Sequence, residues 1–175
     1  AQSLPADTKF DIYIVDGGST DGTVESVKTQ FPHVNIKTVD GVFWNRGMIE
    51  AWKMAEEKKR NGCNYDYYLW LNDDTFIYKD CIASLLRVSL LKKNRTIVLG
   101  STVDTQTRSK LTYGGRDKTG KVARPSSDDS PVPVIMMNGN IVLVPHSVYK
   151  KLGTLDPYYT HARGDFCLLY TSPSP

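Results

Sequence analysis

The sequence lacks the features that assign a chain to several common classes of protein. Its three cysteines, Cys63, Cys81 and Cys167, are an odd number at scattered spacings, so they give neither a disulfide framework nor a zinc-binding pattern. No apolar run approaches the ~20 residues that a membrane-spanning helix needs. The formal net charge of +3 is too small to indicate a nucleic-acid partner. We therefore expect a soluble, cytoplasmic domain that binds no nucleic acid.

Two common nucleotide-binding fingerprints are missing as well. Neither Gly-x-Gly-x-x-Gly nor a phosphate loop ending in Gly-Lys-Ser/Thr occurs anywhere in the chain. What the chain does have is enough apolar material for a core, since 40% of its 175 residues are hydrophobic and 23% are charged. This length and composition fit one domain.

Short β-branched and aromatic segments alternate with amphipathic segments along the chain. The pattern predicts strands at residues 10–15, 34–39, 66–71, 96–100 and 141–144. It predicts helices at residues 21–31, 45–60, 79–93 and 147–152, the first with Asp21 as its N-cap. Strands that alternate with helices predict an α/β fold with a mostly parallel central sheet.

Acidic side chains follow two of the predicted strands, at the sheet edge where α/β proteins bind ligands. Asp16 ends the first strand, while Asp73 and Asp74 follow the third. Two adjacent carboxylates are costly to bring together unless a cation neutralises them, and a hard divalent ion completes its shell with diphosphate oxygens and water. The pair therefore suits Mg²⁺ or Mn²⁺ beside a leaving nucleoside diphosphate. An exposed turn is the alternative interpretation, because Asn and Asp are common turn formers.

The predicted start of the second helix carries a further candidate site. Asn45 and Gly47 lie where a helix N-terminus faces a phosphate group. Arg46 either approaches a diphosphate or is a solvent-exposed residue at a helix end. The turn at residues 16–23 either holds a nucleoside through its backbone and Asp16 or is a plain connection between strand and helix.

Five motifs together resemble family 2 glycosyltransferases, which have the GT-A fold, a Rossmann-like nucleotide-sugar-binding fold. They occur in the family's order, at residues 15–23, 43–48, 71–75, 138–140 and 161–165. The likeness covers residues 10–166 and extends to bacterial enzymes of the rhamnosyltransferase type, which build surface polysaccharides. Tyr113-Gly114-Gly115 also recurs in similar proteins, with no role assigned to it.

The resemblance implies inverting transfer of a sugar from a nucleotide-diphosphate donor to an acceptor hydroxyl. Asp165 matches the catalytic base, Asp74 the metal-binding aspartate, and Asp73 its neighbour near the ribose and sugar. Further donor contacts are implied for Asp16, Gly17, Ser19, Asn45 and Arg46. Acceptor contacts are implied for Asn138, Gly139 and Asn140, for which a tight turn between strands is the alternative.

The resemblance also sets the expected cofactor and partners. The metal is Mg²⁺ or Mn²⁺, the donor is a dTDP-, UDP- or GDP-sugar, and the acceptor is a glycan or a lipid-linked glycan. A lipid-linked acceptor would bring the cytoplasmic enzyme into peripheral contact with the inner face of the membrane. A nucleotide-sugar-binding domain without turnover is the alternative function.

Three departures from the family pattern bear on these expectations. Gly17 stands where many members carry a second aspartate that contacts the nucleotide base. The family's first strand should precede residue 10, and residues 167–175 resemble a translated sequencing adapter. We therefore expect residues 1–175 to be one partial domain, truncated at both ends. It would have a nucleotide-sugar-binding half at 10–100, an acceptor-side half at 101–166 and a non-native tail at 167–175.

Overall fold

The computed structural model describes residues 2–60, 62, 64–124, 126 and 130–159. These residues form two compact units. The first unit contains residues 7–65 and 154–159 of the described chain, and the second contains residues 2–6 and 66–153. No helix within the described residues is long and apolar enough to cross a membrane.

The first unit contains a parallel strand pair with two helices. Strand β1 (Tyr13–Asp16) pairs with β2 (Asn35–Thr38), and helix α1 (Thr23–Gln30) connects them. Helix α2 (Trp44–Arg60) follows β2. A strand–helix–strand connection that ends in a parallel pair is the arrangement that the alternating sequence pattern predicts.

The N-cap of α1 differs from the prediction, whereas the buried face of α2 has the expected helical spacing. Gly22, in a left-handed conformation with φ 84°, is the N-cap of α1. Asp21 instead accepts hydrogen bonds from the backbone and hydroxyl of Thr23. The buried residues of α2 recur every three to four positions, as expected for one face of a helix, and are Asn45, Ile49, Trp52 and Ala55.

The second unit contains a three-stranded sheet with a fully buried central strand. Strand β3 (Tyr67–Leu71) is followed by helix α3 (Cys81–Leu91) and β4 (Val98–Leu99). Strand β7 (Ile141–Pro145) lies between β3 and β4, and all five of its residues are buried. Helix α4 (His146–Leu152) follows it directly.

The described strands do not form the mostly parallel central sheet that we predicted. The parallel pairing is that of β1 with β2, whereas β7 runs antiparallel to both β3 and β4. Strands β3 and β4 do share one direction, because a helical crossover joins them. The connection from β4 to β7 instead contains the short antiparallel pair β5 (Gly115–Arg116) and β6 (Met136–Met137), so the chain returns in the opposite direction.

Side chains alternate across the sheet of the second unit and form a core on each face. The core between the sheet and α3 contains Leu85 of the helix and Val98, Ile141 and Leu143 of the strands, each at most 6% exposed. Burying one such side chain stabilises a fold by about 1.5–3 kcal/mol. On the other face of β3, the Tyr68 ring lies 4.7 Å from that of Tyr149 in α4. This core fixes the end of β3, from which the acidic turn projects.

Candidate functional site

The Asp16 carboxylate closes the turn that follows β1. Asp16 is 7% exposed, and its Oδ2 accepts hydrogen bonds from the backbone N–H of Gly18 at 3.0 Å and of Ser19 at 3.1 Å. The Ser19 hydroxyl contributes most to holding the pKa of this carboxyl below its usual value, and the two backbone N–H groups add to it. Asp16 is therefore ionised at neutral pH and orders the turn.

Two glycines of this turn lie close to the segment after β2. A Cβ atom on Gly17 would lie 3.0 Å from the carbonyl oxygen of Val42, and one on Gly18 would lie 3.0 Å from Oδ1 of Asp40. Gly18 also has φ 103°, a conformation that side-chain-bearing residues rarely adopt. The close approach of the Val42 carbonyl oxygen gives a local reason for glycine at position 17.

Asn45 lies at the start of α2 and is completely buried. Its Nδ2 donates hydrogen bonds to the carbonyl oxygens of Asp156, at 2.9 Å, and of Tyr159. Its Oδ1 is buried without a hydrogen-bond partner among the described residues. Arg46, the next residue, is exposed. The contacts of Asn45 are thus structural, and donor binding by Asn45 and Arg46 remains a prediction.

We predict that Asn45→Ala destabilises the protein by about 2–4 kcal/mol, because it removes the hydrogen bonds to the carbonyl groups of Asp156 and Tyr159 and leaves unfilled volume at a fully buried position. Urea unfolding followed by circular dichroism measures this. Glu57→Ala, at an exposed position of α2, is the matched control and should change stability by less than about 0.5 kcal/mol. Equal urea midpoints for the Asn45→Ala variant and the unsubstituted chain would show that the hydrogen bonds of Asn45 do not stabilise the protein.

The acidic turn follows β3 directly. Thr75 N–H donates to the carbonyl oxygen of Asn72 at 3.1 Å, which closes the turn and leaves Asp73 and Asp74 exposed. Neither carboxylate forms an ion pair with any described residue. Carboxylate oxygens are ligands that Mg²⁺ and Mn²⁺ prefer. Asp73 and Asp74, whose negative charges are not neutralised by an ion pair with a described residue, therefore fit a divalent ion.

These two carboxylates would supply only part of a metal's coordination shell. Within the described residues, no three His, Cys, Asp or Glu side chains are grouped closely enough to hold a metal ion on their own. Phosphate oxygens of a donor and water would have to complete the shell, as is usual for Mg²⁺. The donor set thus fits a metal that binds together with a diphosphate.

The structure brings the predicted acceptor segment next to this acidic turn. The register of β3 and β7 pairs Leu71 with Ile141, so Asn72 lies beside Asn140. Asn72 N–H donates to the Asn140 carbonyl oxygen at 3.0 Å, and its Nδ2 lies 3.3 Å from Asn140 Oδ1. Gly139, between the two predicted asparagines, is buried.

Sequence reasoning missed the residues that support Asn138. The Asn138 N–H donates to the carbonyl oxygen of Gly114 at 3.0 Å, and Nε of Arg116 donates to Asn138 Oδ1 at 2.7 Å. The Tyr113-Gly114-Gly115 motif was visible in the sequence. Its pairing with Asn138 could not be predicted, because the two segments are far apart along the chain. Asp165, the predicted base, lies outside the described residues.

Comparison with known proteins identifies the family. The sequence profile described as Glycosyl transferase family 2 matches residues 1–140, a span that includes the Asp16 turn, the acidic turn and the asparagine segment. A comparison with curated proteins gave no match. Because the profile match covers well over half of the 175 residues, the chain belongs to glycosyl transferase family 2.

Proposed function

We propose that the protein transfers a sugar, with inversion, from a nucleotide-diphosphate donor to an acceptor hydroxyl. Membership of glycosyl transferase family 2 supports the GT-A fold, a transferase activity and a nucleotide-sugar donor. The observation that carries the proposal is the hydrogen bonding between Asn72 and Asn140. This bond joins the turn that carries the exposed Asp73 and Asp74 to the segment that carries the Asn138 and Asn140 amides, which supports a metal diphosphate and an acceptor sugar binding side by side.

On the donor side, Asp74 would hold Mg²⁺ or Mn²⁺, and Asp73 would lie near the ribose and sugar. The metal, when bound, neutralises the negative charge that develops on the leaving diphosphate. Asp16, which is ionised, would accept a further hydrogen bond from an N–H or O–H group of the nucleoside. The backbone of Gly17 and Ser19 lies at the surface of the same turn.

On the acceptor side, Asp165 would be the catalytic base. It takes the proton of the acceptor hydroxyl while that oxygen bonds to the anomeric carbon. The bond from the anomeric carbon to the diphosphate oxygen breaks, and the nucleoside diphosphate leaves with the electron pair. Attack and departure on opposite faces of the sugar give inversion. Asn138, Gly139 and Asn140 would bind the acceptor.

The resemblance to rhamnosyltransferase-type enzymes supports a narrower proposal on substrates. The donor would be a dTDP-, UDP- or GDP-sugar, and the acceptor would be a glycan or lipid-linked glycan of a surface polysaccharide. With a lipid-linked acceptor the enzyme would act in the cytoplasm at the inner face of the membrane.

Isothermal titration calorimetry with UDP, dTDP and GDP, each with and without Mn²⁺, tests the donor site. We expect one of the three nucleotides to bind at least about tenfold more tightly with Mn²⁺, since carboxylate and diphosphate then share the ion. Failure of all three to bind in the presence of Mn²⁺ would overturn both the enzyme and the nucleotide-sugar-binding alternative.

A further inference from the structure

The backbone of the Asn138–Asn140 segment is held at both ends, and that of the next residue, Ile141, is held as well. Gly114 accepts from Asn138 N–H, and Asn72 N–H donates to the carbonyl oxygen of Asn140, each at 3.0 Å. Gly100 N–H donates to the carbonyl oxygen of Ile141 at 3.1 Å. Because these bonds fix the backbone, the orientation of each side chain on the segment is set by the contacts of that side chain.

Arg116 fixes the orientation of the Asn138 carboxamide. Its Nε donates to Asn138 Oδ1 at 2.7 Å, while its Nη1 donates to the carbonyl oxygen of Gly120 at 2.7 Å. A guanidinium group has donors and no acceptor, so Asn138 must turn its oxygen towards Arg116 and its Nδ2 away. Asn138 is partly exposed, and its Nδ2 has no hydrogen-bond partner among the described residues.

Two glycines allow β5 to lie where Arg116 can make these contacts. A Cβ atom on Gly114 would lie 3.1 Å from Oγ of Ser101, and one on Gly115 would lie 2.5 Å from Cγ1 of Val134. Only glycine permits so close an approach without displacing its neighbours. The Gly114–Gly115 pair is thus explained by the close approach of Ser101 and Val134 to the chain that leads to Arg116.

The bond to Arg116 also changes what the Asn138 amide can do. A charged donor on the carbonyl oxygen polarises the amide, which strengthens its N–H groups as hydrogen-bond donors. Two such N–H groups match acceptor oxygens, of which a sugar offers hydroxyl and ring oxygens. If Arg116 only tied down the 116–120 turn, its bond to Gly120 would suffice, and the contact with Asn138 would be unnecessary.

We propose that Arg116 is a positioning residue that presents the Asn138 amide N–H groups to the oxygens of a neutral sugar acceptor. This inference rests on the proposed function, since it names the acceptor chemistry of that site. In this arrangement the Asn138 side chain donates hydrogen bonds, and oxygen atoms of the sugar that will be glycosylated accept them.

Side-chain NH₂ signals in ¹H–¹⁵N NMR spectra of the full chain test the proposal. The Asn138→Asp variant lacks its NH₂ pair and so assigns it. The probes are methyl α-L-rhamnopyranoside and methyl β-D-glucopyranoside, added without nucleotide or metal. In the unsubstituted chain we expect at least one probe to shift the Asn138 pair saturably.

Arg116→Lys keeps the charge but loses the rigid fork that reaches both Asn138 and Gly120. We expect it to weaken binding of that probe about tenfold, the loss of one well-placed hydrogen bond. The variant should stay folded, with a circular dichroism spectrum like that of the unsubstituted chain. Arg124→Lys, at an exposed arginine of the same connection, should leave the titration unchanged.

Two results would overturn the proposal: no shift of the Asn138 pair with either probe, or equal affinities in the Arg116→Lys and unsubstituted chains. Because the titration contains no nucleotide, its failure is distinct from a failure of donor binding. A chain that binds Mn²⁺ and nucleotide normally but shows neither effect keeps its proposed function and loses this inference.

Discussion

An Asp165→Asn variant should bind the donor normally and lose sugar transfer by a factor of about 10²–10⁴. Asparagine has nearly the shape of aspartate but cannot take up the proton of the acceptor hydroxyl. Without that transfer, the attacking oxygen would carry a positive charge in the transition state. Release of nucleoside diphosphate in the presence of an acceptor sugar measures turnover, and calorimetry measures donor affinity.

Asp80→Asn is the matched control, because Asp80 is exposed and the substitution makes the same change in charge. We expect the control to keep both turnover and binding. Unchanged turnover in the Asp165→Asn variant would refute the assignment of Asp165 as the base. Loss of donor binding together with turnover would instead indicate a role on the donor side.

The second large effect is expected at the acidic turn. Asp74→Ala should reduce the affinity for the nucleoside diphosphate in Mn²⁺ to the value measured without metal, a loss of at least about tenfold. The reason is that a carboxylate bound directly to the ion contributes more to metal affinity than a residue that only hydrogen-bonds to a metal ligand, and loss of the latter already costs about tenfold or more. Calorimetry with and without Mn²⁺ separates this loss from a general weakening of nucleotide binding.

Asp80→Ala serves as the control, since it removes an exposed carboxylate from the same unit. The Asp73→Ala variant makes a further distinction. If Asp73 contacts the ribose, its loss should weaken binding of the nucleoside diphosphate both with and without Mn²⁺. If Asp74→Ala leaves the effect of Mn²⁺ intact, Asp74 is not the metal ligand.

The local elements and the family could be predicted from the sequence because their signals are local. The apolar run at 141–144 predicted the strand that the structure places at Ile141–Pro145, and the helix predicted at 45–60 is Trp44–Arg60. The five motifs predicted the family, which the profile match confirms. Each of these inferences depends on residues close together in the chain.

What could not be predicted depends on contacts between distant residues. Periodicity shows that a strand exists but not the direction in which it pairs, so the antiparallel insertion of β7 between β3 and β4 was missed. The burial of Asn45 and its hydrogen bond to Asp156, 111 residues later, could likewise not be predicted from its position at the start of a helix.

The support of Asn138 by Arg116 is another distant contact, 22 residues apart. The motif at 113–115 was visible in the sequence, but its purpose depends on how β5 approaches Ser101 and Val134. Whether the two asparagines formed a site or a plain turn was open in the sequence. The acceptor site at these asparagines stays a prediction, and the Nδ2 of Asn138 has no hydrogen-bond partner among the described residues.

The most direct test of the central claim is turnover of dTDP-, UDP- and GDP-sugars by the protein with Mn²⁺ and a methyl glycoside acceptor. We predict release of nucleoside diphosphate from one donor together with a glycoside product. NMR should show that the anomeric configuration of the transferred sugar is opposite to that of the donor. Tight, Mn²⁺-dependent binding of a donor with neither release nor product would contradict the enzyme and leave a nucleotide-sugar-binding domain.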